Sequence, residues 1–89
     1  MTTKPPPSVI PAGGESKEKT AYAAVAGIPM ADPHDRDRLG YNIWRWLVFR
    51  KDPLALAIRS SGSRFDIPEE EAIRRIRDSL RQQGVQDVD

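Results

Sequence analysis

The segment Tyr41–Arg50 constrains this chain more than any other. It holds both tryptophans, Trp44 and Trp46, together with Tyr41, Phe49, Ile43, Leu47 and Val48. Fully burying one large apolar side chain stabilises a fold by about 1.5–3 kcal/mol. The rest of the chain is therefore expected to cover most of this segment. Its residue types suit a strand as well as a helix. Context favours helix, because a strand needs paired neighbours and no second strand or hairpin signal occurs in the sequence.

Placed on a helix, Leu39, Ile43, Trp46, Leu47 and Phe49 spread over one broad face. Tyr41, Trp44 and Val48 fall on nearly the opposite face, with Arg38 and Arg45 on the border between them. An ordinary amphipathic helix carries one apolar stripe. This one carries two, and what covers the second is the functional question.

The flanking sequence sets the other elements. Asp32-Pro33 reads as a helix start, with Asp32 as cap and Pro33 in the first turn. Asp35, Arg36, Asp37 and Arg38 alternate in sign, which suits a solvated first turn. Gly40 weakens helix by about 1 kcal/mol relative to alanine, so a start near Gly40 is the alternative. Asp52-Pro53 repeats the start signal, with Asp52 as cap, and Ser60-Ser61-Gly62-Ser63 closes a short helix. Ile67 precedes a proline and so avoids helical angles, which makes Arg64–Ile67 an extended linker. Pro68 and Glu69–Glu71 place proline and three acids where the helix dipole favours them. Glu70/Arg74 and Glu71/Arg75 are spaced for ion pairs, Ala72, Ile73, Ile76 and Leu80 form an apolar stripe, and Gly84 ends the helix. The expected fold is all-α: a three-helix domain over residues 33–84, with helices at about 33–51, 53–60 and 68–83. Residues 85–89 read as a frayed acidic tail.

Upstream, residues 1–20 contain Pro5, Pro6, Pro7 and Pro11 of the chain's eight prolines, and after Met1 their only bulky apolar side chains are Val9 and Ile10. Such a segment cannot offset its ordering entropy by burial, so a disordered arm is expected. Residues 21–32 form a docking segment and connector. A short alanine-rich helix at 17–27 needs a surface to dock on, since at this length an isolated helix is marginal.

Composition removes several function classes. With 14 basic and 13 acidic side chains the net charge is +1, so no global field attracts nucleic acid or an anionic membrane. No cysteine is present, which excludes disulfides and thiolate metal sites. No apolar run approaches the ~20 residues of a membrane span, and Met1–Pro7 lacks a signal-peptide core. A cytoplasmic protein is expected.

Chemistry finds few candidates. His34 has neither a second histidine nor a cysteine to share a metal with. Ser60, Ser61 and Ser63 have no base in the sequence around them and read as a helix terminator. Glu69–Glu71 are dipole partners rather than a paired-acid site, and Gly13-Gly14 does not form a phosphate loop. We therefore expect no catalytic residues, no cofactor, no metal and no small-molecule substrate.

Three binding classes remain. The first is protein binding through Tyr41, Trp44, Arg45 and Val48, because aromatic residues and arginine anchor interfaces. The partner is then another protein or a second copy, with Ile43, Trp46 and Leu47 as core. The competing possibility is that residues 20–28 fold back, so that Tyr22, Val25 and Ile28 cover that face from within. The second class is nucleic-acid binding by a loose helix-turn-helix, with Arg74, Arg77 and Arg81 as the contacts. Its linker exceeds the usual 3–4-residue turn, and its recognition helix would open with three acids. The third is a membrane surface met by the tryptophans and cations of residues 43–51. The string Ile43-Trp44, with Phe49 and Asp52-Pro53 after it, resembles the cytoplasmic end of bacterial light-harvesting α polypeptides over about a dozen positions. The membrane span of that family does not follow, and nothing is carried over from the likeness.

Overall fold

A computed structural model describes residues 12–88 of the chain, with side chains from Ser16 onward. The described chain is all-helical: α1 (Ala12–Ala26), α2 (Pro33–Phe49), α3 (Leu54–Ser60) and α4 (Glu69–Gln82). The first eleven residues of the expected arm lie outside the described residues.

The long aromatic helix starts at its proline and runs unbroken through Gly40. Asp32 is extended and its carboxylate accepts the His34 N–H at 2.9 Å, as the cap signal requires. The helix stops at Arg50, whose φ of 50° is left-handed and whose N–H returns to Trp46 O at 2.7 Å. The expected cap of the next helix is different. Pro53 takes the N-cap position of α3, and Asp52 makes no side-chain cap. Instead the Asp52 carbonyl accepts the indole N–H of Trp46. A buried tryptophan needs an acceptor, and the tight connection brings this one within reach.

α1 begins at Ala12, earlier than the expected 17, and it lies between α2 and α4. It packs along α2 and also against α4, whereas α3 packs chiefly on α2. An arrangement in which α3 and α4 both cover α2 directly would also have suited their apolar residues. The observed one follows from the small side chains of α1. Ala21, Ala24 and Val25 are buried together with Ile28, and a helix face of alanines lets two neighbours approach it at once. The core thus extends beyond residues 33–84, running from Ala21 through Leu39, Ile43, Trp46, Leu47, Leu54 and Ile58 to Ile73, Ile76 and Leu80.

Two expectations about the surface are corrected. Asp35, read as a solvated first-turn residue, is buried. Its carboxylate takes the Arg38 guanidinium on one oxygen and the Arg64 N–H at 3.1 Å on the other. Its backbone carbonyl accepts Ser63 Oγ at 2.9 Å, while buried Ser61 donates to Ile58 O at 2.7 Å. The α3–α4 linker is therefore fastened to the first turn of α2. Asp66 N–H adds a bond to Pro29 O at 2.9 Å. The second correction concerns the C-terminal segment, which is not frayed. Val88 is 1% exposed and Val85 packs against the core. The Arg50 guanidinium lies 4.3 Å over the Trp46 ring and donates to Gln86 O at 2.9 Å and Asp87 O at 2.6 Å.

Candidate functional site: the outer face of α2

The buried arc of α2 carries Leu39, Gly40, Ile43, Trp46 and Leu47. Ile43, Trp46 and Leu47 are thus core, as their spacing indicates. The second apolar face is divided by the docking of α1. Val25 and Ile28 are buried and Tyr22 is half-buried, so residues 20–28 do fold back on the molecule. Trp44, at the α1 side of the face, is half-buried and packs against the core. Tyr41 and Val48 stay outside, 51% and 36% exposed, and Arg45 is exposed between them.

Phe49 departs from the expected face. It is 59% exposed, not part of the core. It is the last residue of α2. It lines a shallow groove between α2 and α3 with Arg45, Lys51, Ala57 and Ser60. Leu56, 48% exposed on α3, lies one turn from Ser60. Sequence reasoning missed Phe49 as a surface residue; the one available signal was its place immediately before the Arg50-Lys51-Asp52-Pro53 break.

The exposed face is ordered by contacts among its own side chains. The rings of Tyr41 and Trp44 are 5.7 Å apart and tilted by 34°, within the separation at which aromatic pairs attract. The Arg45 guanidinium sits 6.0 Å from the Tyr41 ring centre, at the outer limit of a cation–π contact. Two cations, Arg45 and Lys51, line this groove with Asp52, and Arg38 lines a neighbouring hollow with Asp37 and Tyr41. Arg38 is engaged by Asp35; Arg45 and Lys51 form no ion pair among the described residues.

The alternative arginine stripe on α4 is less open. Arg74 is exposed, but Arg77 is half-buried and Arg81 pairs with Asp78 at 3.4 Å. Glu71 and Arg75 form the expected pair at 2.6 Å, and Glu69 is taken by Arg59 of α3 at 2.7 Å. Phosphate contacts draw on cations that can be neutralised by the ligand, and part of this stripe is already committed within the protein.

Among the described residues no group of three or more histidine or acidic side chains is placed to hold a metal ion. No helix among them is long and apolar enough to cross a membrane. His34 is exposed at the start of α2, and Ser60, Ser61 and Ser63 hydrogen-bond to backbone or to one another. Comparison of the chain with protein-family models, with curated proteins and with solved structures finds no match.

Proposed function

We propose that this protein is a small non-catalytic binding module, an inhibitor, adaptor or accessory subunit, that grips a protein surface through the outer face of α2. One observation carries the reading. Of the four large hydrophobic residues exposed among the described residues, three, Tyr41, Val48 and Phe49, lie on this one helix face, around Arg45. Single exposed apolar residues are ordinary, whereas a grouped set with an aromatic and an arginine has the composition of an interface centre. Tyr41 and Arg45 are the anchors, Val48 and Phe49 extend the apolar area, and Trp44 supports Tyr41 from beneath. A cytoplasmic setting accords with a chain that uses no cysteine.

The test is site-specific photo-cross-linking in cells that express the full chain. A benzophenone side chain at position 41 is expected to yield a discrete protein adduct, and the same group at exposed position 74 on α4 is not. Adducts at 74 alone, or nucleic acid recovered from position 74, would move the function to the arginine stripe.

A further inference from the structure

We propose that the occupant of the α2 face is a second copy of this chain, packed antiparallel about a two-fold axis beside Tyr41. The inference rests on the binding reading above and names its partner. Asp37, Tyr41 and Arg45 follow one another at four-residue intervals, forming one ridge along the exposed side of α2. All three are exposed. Asp37 forms no ion pair among the described residues, and the neighbour of Arg45 is the Tyr41 ring rather than a carboxylate.

A ridge with an acid at one end, a base at the other and an aromatic ring at its centre is complementary to its own reverse. When two such ridges lie antiparallel, Asp37 meets the partner's Arg45, Arg45 meets the partner's Asp37, and the two Tyr41 rings meet on the axis. A two-fold contact uses one patch twice, so the Asp37–Arg45 pairing is made twice and the Tyr41 pair once, on the axis. A parallel arrangement would set like charges against each other. Ridges of the i±4 kind pack side by side at a crossing angle of about −50°, the commonest class of helix contact. An unrelated acidic surface would satisfy Arg45 but would oppose Asp37, so the second copy is the better match to this charge order.

The experiment is sedimentation equilibrium of the full chain over a range of concentrations, with circular dichroism confirming that each variant is folded. The expected result is a reversible dimer. Asp37→Arg and Arg45→Asp should each weaken it by roughly tenfold or more, since each swap sets like charges together at both symmetry-related positions. An equimolar mixture of the two variants should regain the wild-type association, because each then supplies the charge that the other lacks. A fold defect would not be repaired by mixing. A monomer at every concentration, a dimer indifferent to both swaps, or folded variants that fail to recover on mixing would each overturn the proposal. If the chain is monomeric yet the cross-linker at position 41 captures a different protein, only the second copy is lost and the binding face stands. If position 41 captures nothing, the binding reading falls with it.

Discussion

The ring of Tyr22 lies flat against Gly40, at the point where α1 crosses α2. A Cβ added to Gly40 would come within 2.6 Å of Tyr22 Cδ1 and 3.0 Å of its Cζ. Glycine inside a helix costs about 1 kcal/mol relative to alanine. Here the close approach of the two helices accounts for that cost. Two effects of opposite sign therefore compete at this position, and the ring contact is short enough to decide between them. Gly40→Ala is expected to lower stability by about 1–3 kcal/mol, as overpacking does. In a Tyr22→Ala background the same change should become neutral or favourable. Chemical denaturation of the four proteins in the cycle measures this. A stabilising Gly40→Ala in the parent would mean that α1 does not dock here.

The Tyr22 phenol also gives a pH signature. Burial, then the nearby Asp37, Glu18 and Tyr41, hold its pKa above the ordinary value of 10.0. The folded state thus favours the neutral phenol. The associated stability is fully present below pH 10.0 and declines as pH rises from there through the folded value. Tyr22→Phe cannot ionise, so the stability difference between parent and variant should shift in favour of the variant above that pH. Parallel alkaline profiles for the two proteins would contradict this.

Asp35 fastens the α3–α4 linker to α2. Asp35→Ala leaves the Arg64 N–H without its acceptor and the Arg38 guanidinium without its carboxylate. Its expected cost is about 2–4 kcal/mol. Asp35→Asn keeps an acceptor and should cost less. Denaturation midpoints rank the two; equal losses would show that the hydrogen bond to Arg64 contributes nothing.

Arg50 joins the end of α2 to the C-terminal segment. Arg50→Ala should free residues 85–88, seen as faster amide exchange there, with a loss of about 1–2 kcal/mol. Lysine should not substitute, because one ammonium cannot stack on Trp46 and reach both Gln86 O and Asp87 O in the same geometry. Unchanged exchange in the segment would assign its order to the packing of Val85 and Val88 instead.

The aromatic residues of α2 should separate by depth. Trp46→Ala removes a core side chain and its bond to Asp52 O, for about 3–5 kcal/mol. Trp44→Ala, at a half-buried position, should cost about 1–2 kcal/mol, and Tyr41→Ala less than about 1 kcal/mol. Thermal unfolding tests the order. A Tyr41→Ala variant as unstable as Trp46→Ala would place Tyr41 in the core and remove the anchor of the proposed interface.

Local chemistry made much of this fold legible in the sequence. Asp32-Pro33 starts α2, and Pro68 with Glu69–Glu71 introduces α4, because caps, proline geometry and the helix dipole act within a few residues. Helical spacing alone groups Ile43, Trp46 and Leu47 on one face of α2, and all three are buried. The tertiary structure decided which of two apolar faces would be covered, and by what. Spacing gives the direction of Trp44 and Tyr41 but not that α1, a helix of small residues, would settle over Gly40 and half-bury one while leaving the other exposed. Nor could it show that Asp35 would be drawn inside by a backbone N–H twenty-nine residues away, or that Arg50 would hold the end of the chain. Those outcomes depend on distant partners, since burial is a property of the surface an element meets and not of the element itself.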